Sequence, residues 1–332
     1  MLKTIYGTKG AFVAPHHLAA QAGRDVLRDG GNAIEAMVAA AATIAVVYPH
    51  MNSIGGDGFW LIHEPGKQPV AIDACGVAAT NATRDFYDGL TEIPTRGSKA
   101  ALTTAGTISG WAKALEVAST WGNPLPLKRL LAPAIDHAAN GIVVTESQSN
   151  LTQQKLPELI HVPGFADTFT IEKAAPPVGS LIKQRALAQT LEQLATKGLD
   201  DFYRGEIGDA IGSELEKLGS PLRSSDLSNY QAEIVKPLNT TIRNAELFNM
   251  PPPTQGLASL LILGIFDKLN ATEQESFEHI HGLIESTKRA FRVRDRNVTD
   301  PGRLPNEPQS LLSDKNIQTL TDSIDSHRAM PW

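Results

Sequence analysis

Apolar positions along this chain follow two periods, and residues 30–76 show both in succession. Just before them, residues 16–29 place Leu18, Ala22, Val26 and Leu27 on one face of a predicted helix, which Gly30-Gly31 ends. Residues 33–48 are apolar all round except for Glu35 and Thr43. A helix without a polar face is buried on most sides. Asn32 is its N-cap and Pro49 its stop. It is shorter than the roughly 20 apolar residues that a bilayer span requires. Ile54-Gly55-Gly56-Asp57-Gly58-Phe59 then breaks the period. Its glycines admit backbone conformations, or close approach of another backbone, that other residues do not. Residues 59–63 and 70–73 read as two strands joined by the turn Glu64-Pro65-Gly66-Lys67, and they lead to Cys75-Gly76. A further short strand is predicted at 10–15.

Beyond this stretch helical spacing dominates. Helices are predicted over 108–121, 127–140, 146–159, 184–197, 205–218, 257–269, 275–294 and 313–324, the last capped by Ser313. Residues 275–294 carry Ile280, Leu283, Ile284 and Phe291 as apolar anchors. Helical turns are expected at 81–88 and 224–230. Residues 89–107 read as surface loop, 160–182 as irregular, and 233–250 as two strand-like runs. Without repeats or linkers, the pattern is that of an α/β chain forming a single unit over 1–332, with a helix-rich middle at about 80–230. Ala329-Met330-Pro331-Trp332 adds no closing element, so the last strands of the sheet are expected elsewhere.

The 332 residues are 42% hydrophobic and 20% charged, enough for a sizeable core. A net charge of −6 gives no basic field for phosphates, which argues against nucleic acid. One cysteine excludes an internal disulfide and a cysteine-rich zinc site. Residues 1–7 lack the apolar run of a signal peptide, so the chain as given reads as cytoplasmic and free of the membrane; a signal already removed would leave the same picture.

Candidate chemistry is sparse. The glycine cluster could cradle an anion with backbone amides, but it lacks the P-loop Lys-Ser/Thr and precedes a strand instead of a helix, so the residues favour a tight turn. His16, His17, His50 and His63 lack the spacing that puts two metal ligands on one helix face, and His279 and His281 splay apart. Cys75 is either a nucleophile, which needs a base or an electropositive setting, or a small hydrophobe at a strand's end. Asp73 either bonds loop amides or faces a substrate. Met250-Pro251-Pro252-Pro253-Thr254-Gln255-Gly256 is either a rigid lead-in to a core helix or a pocket wall. Thr107-Ile108-Ser109-Gly110-Trp111 is not a nucleophile elbow, because no glycine stands two before Ser109. The residues alone supply scaffold and no complete catalytic set.

In order, Gly30-Gly31-Asn32-Ala33, Pro49, Ile54-Gly55-Gly56-Asp57-Gly58-Phe59, Ile72-Asp73 and Ala82-Thr83-Arg84-Asp85 are followed by Gly106-Thr107-Ile108-Ser109-Gly110-Trp111 and Leu131-Ala132-Pro133-Ala134. Asp201-Phe202-Tyr203-Arg204-Gly205, Asp226-Leu227 and the proline segment at 250–256 complete the series. Together these resemble the large subunit of the γ-glutamyltranspeptidase family, among the N-terminal-nucleophile hydrolases. The resemblance implies an α+β fold, the four-layer αββα sandwich, completed by a separate small subunit cut from the same precursor. It also implies that the nucleophile, an N-terminal threonine using its own α-amine as base, lies on that subunit, so that no catalytic residue, cofactor or metal belongs to this chain.

One departure bears on the substrate. The family's transpeptidases follow the second hairpin strand with Asp-x-Arg-Glu, whose arginine grips the substrate's α-carboxylate. Here the segment is Asp73-Ala74-Cys75-Gly76. Cysteine cannot make those bidentate, charge-assisted bonds, a loss of about 2–4 kcal/mol at that spot. Asp73, Cys75 and Gly76 are therefore the substrate-binding candidates, and a small acidic amide is the expected substrate, as in the oxamate amidohydrolase-like branch. The alternatives are a γ-glutamyl transferase or hydrolase, a glutaryl-type acylase, and a non-catalytic scaffold that kept the fold.

Overall fold

A computed structural model of the chain describes residue 4, residues 6–243 and residues 245–331. The expectations on Met1, Leu2, Lys3, Ile5 and Trp332 lie outside the described residues. Two helices come first, α1 (His17–Arg28) and α2 (Ala33–Val47), then the strands β1 (Gly58–Ile62) and β2 (Val70–Ala74). There follow α3 (Thr107–Val117), α4 (Leu127–Asn140), β3 (Ile142–Val143), α5 (Glu146–Leu159), α6 (Phe165–Phe169) and β4 (Leu181–Ile182). Next are α7 (Arg185–Lys197), α8 (Asp201–Arg204), α9 (Glu206–Lys217) and α10 (Ser224–Asn229). Last come β5 (Glu233–Val235), β6 (Leu238–Ile242), β7 (Ala245–Asn249), α11 (Gly256–Lys268), α12 (Phe277–Asn297) and α13 (Asp314–Asp322).

The periodic helices lie where their apolar spacing puts them, and four local readings need correction. Residues 10–15 form no strand: the segment finds no ladder partner among the described residues, and Val13 is exposed. Residues 160–182 are not wholly irregular, because α6 lies within them and β4 pairs antiparallel with β3, Ile142 opposite Ile182. Residues 233–250 make three strands, not two, since Pro237, which has no N–H to give a ladder, separates β5 from β6. Part of 89–107 is packed: Thr104 is buried, its amide donates to the Val77 carbonyl at 2.9 Å, and the Ala79 amide donates to Leu102 at 2.8 Å.

The chain divides into two compact units, one of Met1–Gly58 with Ala74–Ala232, the other of Phe59–Asp73 with Glu233–Trp332. The helix-rich middle lies in the first. There α2 packs between α1 and α4, and α4 packs on α7, which is why α2 carries no polar face. Its N-terminus is a capping box: the Asn32 side chain accepts the Ile34 and Glu35 amides, and the buried Glu35 carboxylate accepts the Asn32 amide at 2.8 Å. The other oxygen of Glu35 accepts the Leu125 amide at 2.6 Å, tying α2 to the segment that opens α4.

In the second unit β2 lies between β1 and β5, with Ala71, Ile72 and Asp73 opposite Val235, Ile234 and Glu233 in antiparallel register. β6 and β7 form a hairpin covered by α11, which also contacts α12 and α13. Leu238, Leu257, Leu260, Leu261, Ile265, Ala290, Leu312 and Ile317 make the core. The expected anchors of α12 are mostly inverted. Ile280, Leu283 and Ile284 are exposed, as is Phe277, while the buried face carries Glu285, Ser286, Arg289 and Ala290. That polar face is covered by the segment after α13. Arg289 donates to the Ser323 carbonyl at 2.8 Å, Lys288 to the Met330 carbonyl at 2.8 Å, and the Glu285 carboxylate accepts the Met330 amide at 3.2 Å. No helix among the described residues is long and apolar enough to cross a membrane.

Candidate active site

Where β2 ends, three lengths of backbone of the first unit, 56–57, 74–76 and 104–107, run against one another closely enough to exclude side chains. A Cβ added to Gly76 would stand 1.7 Å from the Thr104 carbonyl oxygen, and one on Gly106 would stand 1.9 Å from that of Ala74. Only glycine fits at either position. Hydrogen bonds sew the lengths together. The Gly76 amide donates to Asp57 Oδ1 at 2.8 Å. The Gly56 carbonyl accepts the Gly106 and Thr107 amides, both at 2.9 Å, and the Thr107 hydroxyl at 2.8 Å. The Tyr230 hydroxyl donates to the Cys75 carbonyl at 3.1 Å.

Behind this seam two buried side chains fix its supports. The Tyr203 hydroxyl donates to the Ala105 carbonyl at 2.7 Å and accepts the Ser109 amide at 2.9 Å. Burial pushes its pKa well up, against the smaller opposing pulls of the Ser109 amide and the Arg204 charge. The Asp226 carboxylate accepts the Thr80 amide at 2.9 Å, the Thr80 hydroxyl at 2.8 Å and the Arg223 amide at 2.9 Å, holding the chain a few residues beyond β2. Burial alone would raise its pKa, but the bonds from Thr80 and Arg223 together hold it below the ordinary carboxylate value.

The candidates from the sequence fall around this seam in different ways. Asp73 sits in β2 opposite Glu233, half-buried. Cys75 and Gly76 follow the strand, also half-buried, with Cys75 Sγ 4.0 Å from the Gly76 carbonyl oxygen. The close approach expected of the glycine cluster is found at Gly76 and Gly106, not at Gly55 or Gly56, where an added Cβ would come no nearer than 3.3 and 3.8 Å to other atoms. The cluster does not present a bare ring of amides to an anion: the Gly55 amide donates to Ser53 Oγ at 2.9 Å, and the Asp57 carboxylate stands within it. Ser109 is buried with its hydroxyl accepting the Ala232 amide at 2.8 Å, a structural role. Asp57, Thr104, Tyr203 and Tyr230 were not singled out from the sequence; only the motifs containing Asp57 and Tyr203 pointed near them.

The histidines have structural work. His16 caps α1, its Nδ1 accepting the Leu18 amide at 3.3 Å, and its ring stacks on His17 at 4.5 Å. Burial and then the charges of His17, His137 and His50 lower its pKa. His279 meets Phe266 edge-on while His281 stacks on Phe277, so the two diverge on α12. Among the described residues no three His, Cys, Asp or Glu side chains come together in a way that could hold a metal ion. In the proline segment the Thr254 hydroxyl donates to the Met250 carbonyl at 3.1 Å, and a Cβ on Gly256 would lie 2.1 Å from that oxygen, a rigid lead-in to α11. Chemically, residues 73–76 are a strand end held by the seam, and position 75 is the one there whose side chain can change without meeting the Thr104 backbone.

The sequence model of the gamma-glutamyltranspeptidase family matches residues 19–332. The chain is 50% identical, over 98% of its length, to the oxamate amidohydrolase proenzyme of Klebsiella pneumoniae, 62% of which it covers. It is 37% identical, over 98% of its length, to the glutathione hydrolase-like YwrD proenzyme of Bacillus subtilis, again covering 62%. The chain thus spans about three fifths of the length of these curated relatives. Among solved structures, the γ-glutamyltranspeptidase of Helicobacter pylori matches with a TM-score of 0.91 at 27% identity, covering 99% of this chain and 95% of that one. The cephalosporin acylase of Bacillus halodurans matches with a TM-score of 0.85 at 32% identity, covering 93% of this chain and 58% of that one.

Proposed function

The chain belongs to the γ-glutamyltranspeptidase family, with its α+β fold, and from that premise we propose that it forms the large subunit of a self-processing amide hydrolase acting on a small acidic amide of the oxamate kind. The observation that carries this is the 50% identity to an oxamate amidohydrolase proenzyme along 98% of the chain. The segment Asp73-Ala74-Cys75-Gly76 agrees with it, since it offers no guanidinium for the α-carboxylate of a γ-glutamyl group.

In this reading the nucleophile is the N-terminal threonine of the small subunit, with its α-amine as base. Its oxygen attacks the amide carbonyl, the C–N bond breaks, and ammonia leaves with the threonine proton. Water then cleaves the ester and frees the diacid. The large subunit supplies a wall of the acyl pocket, with Asp73, Cys75 and Gly76 at the end of β2. The apolar residues Phe59 and Leu61 of β1, and Phe277, Ile280 and Ile284 of α12, are exposed in this chain and are the kind of surface a partner subunit covers.

The test is expression of the full reading frame, followed by intact mass and by turnover of oxamate, a γ-glutamyl anilide and a glutaryl amide. Two fragments are expected, with kcat/KM for oxamate above that for the γ-glutamyl anilide by about tenfold or more. Equal or better turnover of the γ-glutamyl substrate would overturn the substrate assignment. An uncut chain inert to all three would favour a scaffold that kept the fold.

A further inference from the structure

A cavity lies in the first unit, lined by residues other than those of the seam. It measures about 290 Å³ and is lined by Pro49, His50 and Arg96 with residues of α5 and α6. Its walls are apolar: Leu151 and Leu159 on α5, and Phe165 and Phe169 on α6, whose rings lie 5.7 Å apart. Two side chains of the lining each carry a buried polar atom that is left over. Gln148, only 2% exposed, has its Oε1 buried with no hydrogen-bond partner among the described residues, and so does His50 Nδ1. His50 Nε2 is engaged by Ser147 Oγ at 3.1 Å. A buried amide oxygen without a donor is destabilising unless something supplies one.

The lining also carries two cations, Arg96 and Lys155. Arg96 and Lys155 share a single carboxylate, that of Glu158, at 3.4 and 2.9 Å. Two cations against one anion leave one positive charge on the lining. The cavity therefore combines an aromatic slot, an acceptor in need of a donor, and a surplus cation. Its volume, at the low end for small-molecule sites, suits one ring.

We propose that this cavity binds a single-ring aromatic monocarboxylate that also carries an N–H donor, the ring between Phe165, Phe169 and Leu151, the carboxylate at Arg96 and Lys155, and the N–H on Gln148 Oε1. The site is independent of the amide-hydrolase reading, so a protein inert to oxamate would still show it.

The probe is 4-aminobenzoate, titrated calorimetrically into the protein produced from its full reading frame, with benzoate as the ligand lacking the donor. Saturable binding with a submillimolar Kd is expected, with benzoate weaker by about fivefold to tenfold for the lost hydrogen bond. Gln148→Leu should erase that difference by weakening 4-aminobenzoate alone, and Arg96→Ala should weaken both by about tenfold. Leu151→Trp should fill the slot and abolish both while leaving amide turnover unchanged. No saturable binding up to millimolar 4-aminobenzoate, or binding that survives both Gln148→Leu and Leu151→Trp, overturns the proposal. A crystal soaked with 4-aminobenzoate decides it without any variant: density in the cavity supports the site, and density only elsewhere refutes it.

Discussion

A methyl group at position 76 would overlap the Thr104 carbonyl oxygen, and one at position 106 that of Ala74. Both obstacles are backbone, so relief requires separating whole segments. Gly76→Ala and Gly106→Ala should each cost about 3 kcal/mol of stability, whereas Gly56→Ala, whose added methyl would meet nothing nearer than 3.8 Å, should be near neutral. Thermal or urea unfolding of the three variants checks this, and equal effects would mean that the seam does not hold the fold. Position 75 differs from its neighbour. Its side chain is half-buried and outside the overlap, so Cys75→Arg should fold and shift preference towards γ-glutamyl amides, lowering their KM by about tenfold relative to oxamate. Unchanged KM ratios would remove position 75 as the determinant. At this scale the sequence is half legible. Asp73-Ala74-Cys75-Gly76 could be recognised as a departure at the hairpin's end. That Gly76 is there because of Thr104 could not, since the pressing atom is a backbone oxygen with no signature in residue type.

Among the elements, α12 separates what periodicity reveals from what it hides. Its extent was readable and its orientation was not, because Ile280, Leu283 and Ile284 have the spacing of a core face but point outward. The inward face is polar and finds its partners in the segment after α13, a pairing that no local pattern announces. Glu285 is the centre of that pairing. Burial alone would raise its carboxyl, but hydrogen bonds from Lys288, the Met330 amide and Arg289 outweigh burial and hold it below the ordinary glutamate value. A carboxyl depressed in the folded state stabilises above its unfolded pKa, near 4.3, and that contribution fades as pH falls through the folded value. Glu285→Ala leaves Arg289 buried without its carboxylate and should cost about 3 kcal/mol at neutral pH. The penalty should shrink in acid, so the unfolding midpoints of wild type and variant should converge below about pH 4. Parallel pH curves would show that Glu285 carries no linked charge. By contrast α2 was legible in full: no polar face, a cap at Asn32, and burial between α1 and α4.

At the scale of the molecule, the two units draw on separated parts of the chain. β2 finds β5 across the whole helical middle. Such pairing is set by register with a distant strand, and strand-like runs at 70–73 and 233–250 carried no mark of it. The outward apolar residues of α12 give the proposed partner a test of its own. Ile280→Asp with Ile284→Lys should leave the helical circular dichroism intact, because neither side chain is in the core, yet abolish copurification with the small subunit. Retained assembly and turnover would place the partner elsewhere. The seam at the end of β2 also constrains the chain's history. A form of this chain with a side chain at position 76 must keep residue 104 farther away, since no side chain fits beside it here. Descent between the two forms would then be ordered. A change at position 75 needs no movement of the backbone, whereas a side chain at position 76 requires the 104–106 segment to draw back first, so one carbonyl oxygen sets the order in which this pair of positions can change.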